Sequence, residues 1–250
     1  MIALAETWSA ADVLPRLDGG DVHVWLANLD DGRPESARVT DVLSAEETAR
    51  ADRFWFERDR RHYSRCRGIL RHLLGAYLGA DPASLVFDAA EGGKPFLPQT
   101  PMAFNVSHSG AYALIAITRR RELGVDIEAH RPLMDRDALA RQCFSAVERA
   151  RLQSLPEPVR TQAFFTCWTR KEAYVKAVGD GLAYPLDAFD VTFAPGDAVR
   201  LSVPEDPRQP RRWTLEALEA PPGYAAALVT EGRRQVACFG WTAPFAQEIV

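Results

Sequence analysis

Two acidic side chains share one predicted strand at residues 123–128, Leu-Gly-Val-Asp-Ile-Glu. Side chains at alternate positions of a strand point to the same face, so Asp126 and Glu128 should lie together. The apolar Val125 and Ile127 then face the core. Two neighbouring carboxylates repel each other, and a divalent cation or a basic side chain is expected beside them. The alternative is an exposed sheet edge on which both groups are solvated.

A helix predicted over residues 159–178 carries a third carboxylate, Glu172. Four residues of this helix form an apolar stripe, namely Phe164, Trp168, Val175 and Val178. Lys171 interrupts the stripe, whereas Glu172 and Lys176, four positions apart, lie just beside it. A surface ion pair is the ordinary alternative for Glu172 and Lys176.

Lysine is rare in this chain. Only three of the 30 basic side chains are lysines, at positions 94, 171 and 176. Because most surface sites accept either cation, a lysine kept among arginines marks a place that needs a compact ammonium group. The alternative is a solvated surface charge. For Lys171 a structural role fits equally well, with a packed stem and a paired ammonium.

A third motif lies at residues 104–110, Phe-Asn-Val-Ser-His-Ser-Gly, where a predicted strand enters a glycine turn. Such a turn presents Ser107, His108 and Ser109 to an anion. A hydrolase triad is not indicated, because adjacent serine and histidine cannot easily bond as nucleophile and base. The glycine-rich loop at 92–96 adds Lys94, either as a ligand contact or as a plain surface turn.

The charged candidates make one donor set, which consists of Asp126, Glu128, Glu172, His108, Lys94 and Lys176. Mg²⁺ prefers hard oxygen ligands, usually a few carboxylates completed by phosphate oxygens and water. The cationic side chains would stand opposite and hold the phosphates. The set therefore predicts a site for Mg²⁺ and a pyrophosphate.

The elements that position these residues fall into two similar halves. Capping boxes are predicted at 44–47 and at 145–148. In both halves a helix that ends at a glycine is followed by a loop with Pro82 or Pro185 and then by a short strand, over residues 59–87 and 159–193. Residues 110–118 also resemble residues 223–230. The alternative is a chance likeness of two unrelated apolar strands. We expect an α+β fold of two similar lobes, residues 1–120 and 121–250, related by a pseudo-twofold axis. The active site should lie in the cleft between them.

Hydrophobic periodicity and turn residues predict the individual elements. A helix should begin at Ser44 and carry Arg50, Arg53 and Phe54, and a second should span 59–78. The predicted strands are 21–29, 85–87, 103–107, 111–118, 123–128, 189–193, 199–203, 213–218, 225–230 and 235–241.

The overall composition excludes several classes of protein. With 47% hydrophobic and 26% charged residues, the chain is globular rather than disordered. A net charge of −4 argues against a nucleic-acid binder. No apolar run is long enough for a membrane span, and acidic residues near the start do not fit a signal peptide, so a cytoplasmic protein is expected. The four cysteines lack the spacing of a zinc site or a disulfide framework.

Four motifs in one order resemble the 4′-phosphopantetheinyl transferases of the surfactin-synthetase-activating type. They are Gly-Lys-Pro at 93–95, Phe-Asn-Val-Ser-His-Ser at 104–109, Gly-Val-Asp-Ile-Glu at 124–128 and Trp-Thr-Arg-Lys-Glu-Ala-Tyr-Val-Lys-Ala at 168–177. The resemblance extends from about residue 43 to 193 and includes Gly-Asp-Gly-Leu at 179–182. Each motif is weak alone, whereas the four together are highly specific.

The resemblance implies a role for each matching residue. Asp126, Glu128 and Glu172 would hold Mg²⁺, and Lys176 would contact the phosphates. Lys94, Ser107 and His108 would line the coenzyme A site. The 3′-phosphate of coenzyme A would meet a basic cluster whose candidates are Arg50, Arg53, Arg61 and His62.

The implied reaction moves phosphopantetheine from coenzyme A to a serine of an apo acyl or peptidyl carrier protein and releases 3′,5′-ADP. Lys176 and His108 would stabilise charge, and Glu172 would accept the serine proton. A monomer should suffice, because both lobes lie in one chain. A Mg²⁺-dependent phosphohydrolase and a non-catalytic coenzyme A or carrier-binding module remain as alternatives.

Overall fold

The computed structural model describes residues 8–11, 13–33, 38–179, 181 and 184–245. Two residues of the 179–182 motif, Asp180 and Leu182, lie outside the described residues. The helices are α1 (Ala45–Ala51), α2 (Glu57–Leu78), α3 (Arg136–Cys143), α4 (Ala146–Ser154), α5 (Glu157–Val178) and α6 (Gln209–Arg212). The strands are β1 (Ser9–Ala10), β2 (Val22–Asn28), β3 (Asp88–Ala89), β4 (Pro95–Phe96), β5 (Met102–Ser109), β6 (Tyr112–Arg119), β7 (Leu123–Ala129), β8 (Asp190–Val191), β9 (Leu201–Ser202), β10 (Trp213–Ala217), β11 (Tyr224–Glu231) and β12 (Val236–Gly240).

Two sheets organise the fold. One has five strands in the order β1-β12-β2-β6-β5, and the other has three in the order β10-β11-β7. The predicted α+β class is therefore confirmed. Helix α2 packs its apolar face on the first sheet, and α5 packs on the second. In the described part of the chain, no helix is both long and apolar enough to cross a membrane. The four cysteines are free thiols.

A buried ion pair ties α1 to α2 in the first half. Ser44 and Glu47 form the predicted capping box at the start of α1. The Glu47 carboxylate also accepts a hydrogen bond from Arg71 Nε at 2.6 Å, and Arg71 is almost fully buried. Arg71 then donates to the carbonyl of Leu85 at 3.0 Å, in the loop that follows α2. One buried guanidinium thus joins two helices and a loop.

The second half repeats this arrangement with a lysine. Ser145 and Glu148 cap α4, and Lys171 Nζ of α5 lies 2.7 Å from the Glu148 carboxylate. Lys171 also donates to the carbonyl of Phe189, and its ammonium lies 4.1 Å from the centre of that ring. The predicted structural alternative for Lys171 is therefore correct, and the repeat at equivalent places supports a duplicated unit.

Some predicted boundaries are wrong for local reasons. Helix α1 ends at Ala51, because the N–H of Asp52 closes the last turn, so Arg53 and Phe54 lie beyond it. The strand predicted at 85–87 is replaced by β3, since Arg71 binds the carbonyl of Leu85. Strands β8 and β9 are only two residues long. There the Thr192 hydroxyl bonds the carbonyl of Ala198 and the N–H of Arg200, which closes the loop in place of a longer ladder.

The last strand returns to the first sheet. Strand β12 pairs in parallel with β2, with Val236 opposite Val22 and Gly240 opposite Leu26. Trp241 continues into the core beneath that sheet. Strand β12 thus belongs to the sheet of the first half, although the expected division placed it in residues 121–250. Phe239 and Trp241 pack in the first core, whereas Val236 and Cys238 pack on the cluster that both sheets share.

Candidate active site

A close helix–strand contact at Gly124 brings the charged residues together. A Cβ at this position would lie 2.2 Å from the carbonyl oxygen of Ala173 and 2.3 Å from the nitrogen of Ala177, both in α5. Only glycine permits that approach. Because α5 crosses β7 here, Glu172 and Lys176 come to lie beside the carboxylates of β7.

Asp126 is the buried centre of the cluster, with 3% of its surface exposed. Its Oδ1 accepts hydrogen bonds from Lys176 Nζ and from the Ser107 hydroxyl, both at 2.6 Å. Its Oδ2 is buried and has no hydrogen-bond partner among the described residues. The exposed-edge alternative is therefore wrong for Asp126, and one of its oxygens remains available for a ligand.

Glu128 and Glu172 lie within electrostatic reach of Asp126. Burial and the charge of Asp126 raise the pKa of Glu128. Burial, Asp126 and Glu128 raise the pKa of Glu172. Glu128 accepts a hydrogen bond from the Ser109 hydroxyl at 2.8 Å and faces Arg131 at 3.6 Å. Lys176 pairs with Asp126, in place of the surface pair with Glu172 that was the alternative.

The cluster fits a hard cation by its chemistry. The charge of Asp126 helps to raise the pKa of both Glu128 and Glu172, and a divalent ion would relieve that repulsion. The unpartnered Oδ2 of Asp126 supplies one ligand oxygen. In their described positions, no three acidic, histidine or cysteine side chains stand close enough together to ligate an ion. The assignment of Asp126, Glu128 and Glu172 as Mg²⁺ ligands thus stays a prediction.

His108 lies on the face of β5 opposite to Ser107 and opens onto a cavity of about 540 Å³. Arg50, Tyr63 and Arg67 of α1 and α2 line the same cavity, together with Gly93 and Pro95 of the opposite loop. Burial and the charge of Lys176 lower the pKa of His108, which favours a neutral imidazole. Glu46, Glu47 and Asp88 line the cavity as well, and His108 connects it electrostatically to Lys176 of the carboxylate cluster.

The structure separates some residues that the resemblance groups together. Arg50 lines the cavity, whereas Arg61 and His62 both bond Asp30, at 3.0 and 2.8 Å. Arg53 is exposed in the turn after α1 and is not among the lining residues that the structure describes.

Two further predicted ligand contacts have other partners here. Lys94 pairs with Glu122 at 2.7 Å and donates to the carbonyl of Leu123 at 2.9 Å. It lines a separate cavity of about 1010 Å³ at the beginning of β7. Ser107 is buried and bonds Asp126 and Lys176 rather than facing the cavity of His108. Both roles in coenzyme A binding stay predictions.

Arg67 is the functional candidate that the sequence did not single out. It lines the cavity with Arg50, lies 3.9 Å from the ring centre of Phe87 and pairs with Glu47. The sequence marks Arg67 by its position one helical turn before Arg71, on the helix face toward the capping box. That signal is weak in a helix that contains many arginines.

Both halves of the chain match models of one protein family. Residues 31–120 match the model described as 4′-phosphopantetheinyl transferase, N-terminal, and residues 122–229 match the 4′-phosphopantetheinyl transferase superfamily. The 4′-phosphopantetheinyl transferase HetI of Nostoc sp. (strain PCC 7120) is 35% identical over 246 residues, which cover 97% of this chain and 98% of HetI. The chain belongs to the 4′-phosphopantetheinyl transferase family.

A second relative and one solved structure are also similar to this chain. The 4′-phosphopantetheinyl transferase Sfp of Bacillus subtilis (strain 168) is 29% identical over 195 residues, 78% of this chain and 84% of Sfp. The crystal structure of holo-[acyl-carrier-protein] synthase from Thermotoga maritima matches 45% of this chain and 64% of that chain, with 19% identity and a TM-score of 0.36.

Proposed function

We propose that this chain transfers the 4′-phosphopantetheine group of coenzyme A to a serine of an apo acyl or peptidyl carrier protein and releases 3′,5′-ADP. The observation that carries the proposal is the pairing of a carboxylate cluster with a cavity that two arginines and a histidine line. Asp126, Glu128 and Glu172 form the cluster, and His108 opens onto the cavity beside it. Both features lie in one chain with two similar halves, which supports the surfactin-synthetase-activating type and a monomer.

Coenzyme A would span the two features. Its adenosine bisphosphate portion would occupy the cavity, with the 3′-phosphate near Arg50 and Arg67. His108 lines the cavity, and the charge of Lys176 lowers the pKa of His108, so the two side chains lie within electrostatic reach of each other. The pyrophosphate would then lie between His108 and Lys176, close to the carboxylates. Guanidinium groups suit a terminal phosphate, because they bind its oxygens in pairs.

Asp126, Glu128 and Glu172 would hold Mg²⁺. When bound, the ion would stabilise the negative charge on the pyrophosphate. Lys176 adds a second positive charge from the α5 side, where it bonds Asp126 at 2.6 Å. These groups hold the phosphates in one orientation, which is the main requirement of phosphoryl transfer.

The transfer step is a displacement at the β-phosphorus. The serine oxygen of the carrier forms a bond to that phosphorus, and the bond to the bridging oxygen breaks. The bridging oxygen leaves as part of 3′,5′-ADP, with Lys176 and His108 placed to stabilise its charge. Glu172 is buried beside the cluster and would accept the serine proton, directly or through a water molecule.

Release of 3′,5′-ADP separates this reaction from the phosphohydrolase alternative. The protein is incubated with coenzyme A and Mg²⁺, with and without an apo carrier, and the products are separated by chromatography. We expect 3′,5′-ADP only when the carrier is present. Equal release in its absence, or release of inorganic phosphate, would instead indicate hydrolysis.

Arg67→Ala is expected to raise the KM for coenzyme A about 10- to 100-fold, as for the loss of a hydrogen bond to a charged group. Arg67 lines the cavity, and Arg71 still pairs with Glu47 when Arg67 is removed. Steady-state kinetics with coenzyme A and with 3′-dephospho-coenzyme A measure the effect. With the second substrate the variant and the wild type should have similar KM values.

Arg61→Ala is the matched control, since it removes an arginine of the same helix that pairs with Asp30. Its KM for coenzyme A should change less than about threefold, the range of an exposed ion pair. An Arg61→Ala effect as large as that of Arg67→Ala would place the 3′-phosphate nearer Arg61. An Arg67→Ala effect that persists with 3′-dephospho-coenzyme A would show that Arg67 does not contact this phosphate.

A further inference from the structure

Strand β7 is an edge strand among the described strands, because the second sheet has the order β10-β11-β7. Buried N–H groups along such an edge need acceptors. Side chains of β5, at alternate positions, supply them. The acceptors are Asn105 Oδ1 for the N–H of Val125 at 2.9 Å, Ser107 Oγ for that of Ile127 at 3.3 Å, and Ser109 Oγ for that of Ala129 at 3.1 Å. We call these three contacts the seam rungs.

Each serine rung also holds a carboxylate. The Ser107 hydroxyl donates to Asp126 Oδ1 at 2.6 Å, and the Ser109 hydroxyl donates to Glu128 Oε2 at 2.8 Å. In both rungs the serine oxygen accepts a hydrogen bond from the backbone N–H of a β7 residue. The serine hydroxyl donates a hydrogen bond to the side chain of the preceding β7 residue. The residue at the corresponding place beside the Asn105 rung is Gly124, which has no side chain.

This double use follows from the chemistry of a hydroxyl, which has one donor hydrogen and two acceptor lone pairs. When the main chain of β7 occupies an acceptor position, the hydroxyl hydrogen is directed at a single carboxylate oxygen. In Asp126 that oxygen is Oδ1, and the buried Oδ2 is left without a partner among the described residues. The Ser107 seam rung therefore holds the Asp126 carboxylate in one rotation and also links β5 to β7.

We propose that Ser107 and Ser109 are positioning residues, which turn the second oxygens of Asp126 and Glu128 toward a common divalent cation. The inference rests on the metal assignment in the proposed function. Ser107 also lies 3.1 Å from Lys176 Nζ, so Ser109 gives the cleaner test. Outer contacts of this kind typically change metal affinity 10- to 100-fold.

The test is direct Mn²⁺ binding, measured from the electron paramagnetic resonance signal of free Mn²⁺ with coenzyme A present and no carrier. Ser109→Ala should raise the Kd for Mn²⁺ about 10- to 100-fold. Ser109→Thr keeps the hydroxyl and should restore a Kd near that of the wild type. Asn105→Ala is the matched control, because it breaks a seam rung that holds no carboxylate. It should lower the melting temperature but leave the Kd unchanged.

A wild-type Kd in Ser109→Ala, or an equal loss of affinity in Asn105→Ala and Ser109→Ala, would overturn the proposal. The same holds if the wild-type protein binds no Mn²⁺. If Asn105→Ala does not fold, the comparison of Ser109→Ala with Ser109→Thr still decides. Weakened Mn²⁺ binding in a protein that transfers no phosphopantetheine would refute the proposed function alone.

Discussion

Asp126→Asn is expected to reduce the rate of phosphopantetheine transfer at least about a thousandfold, equivalent to about 4 kcal/mol of transition-state stabilisation. The substitution keeps the size of the side chain but removes the charge that pairs with Lys176 at 2.6 Å. It also takes away an anionic oxygen from the proposed metal site. Loss of a ligand to a catalytic cation and misplacement of Lys176 act on the same step, so the effect should be large.

Transfer of a labelled phosphopantetheine group to an apo carrier measures this effect, with circular dichroism as the check on folding. Glu216→Gln is the control, because Glu216 is a half-buried carboxylate on β10 of the same sheet. It should retain activity close to that of the wild type. Unchanged transfer by a folded Asp126→Asn protein would remove Asp126 from the metal assignment.

Lys171→Ala is expected to lower the free energy of unfolding by about 3–5 kcal/mol, the usual result of breaking a buried ion pair from one side. Lys171 and Glu148 have side-chain exposures of 1% and 2%, so the remaining carboxylate would be buried without its cation. The substitution also removes the bond to the carbonyl of Phe189. Glu172 is the next residue on α5, and we expect transfer activity to fall with the loss of local order.

Urea unfolding followed by circular dichroism measures the change in free energy. Arg151→Ala is the control, because its ion pair with Asp197 is largely exposed and should contribute only about 0–1 kcal/mol. A cost for Lys171→Ala as small as that of the control would contradict the structural role of Lys171.

The local elements that carry the chemistry are predictable from the sequence, because short-range rules determine them. The two capping boxes form at Ser44 and Ser145, where their motifs occur. The alternation of β7 buries Val125 and Ile127 and groups Asp126 with Glu128, as its pattern predicts. Spacing alone also places Glu172 and Lys176 one turn apart on α5, beside the buried face.

The contacts between distant segments are what the sequence does not reveal. Arg67 reaches the cavity because α2 packs beside the loop at Gly93, and no local pattern encodes that packing. Lys94 is part of a glycine loop that is typical of ligand binding, yet here it bonds Glu122 and the carbonyl of Leu123. The return of β12 to the first sheet is equally non-local, since its alternation fits either sheet.

The seam rungs give Ser107 a contact that its residue type alone does not predict. Ser107 lies next to His108, and both were expected to line the coenzyme A site. Adjacent side chains of a strand point to opposite faces, so His108 opens onto the cavity while Ser107 faces β7. The alternation was visible in the sequence, but the strand on the other side of Ser107 was not.

Intact mass spectrometry of an apo carrier protein is the most direct test of the proposed transfer. The carrier is incubated with this protein, coenzyme A and Mg²⁺, and a carrier whose acceptor serine is replaced by alanine is treated in parallel. We predict that the first carrier gains the mass of one phosphopantetheine group and that the second gains none. An unchanged mass across a panel of apo acyl and peptidyl carriers, with the protein folded and coenzyme A in excess, would contradict the proposed function.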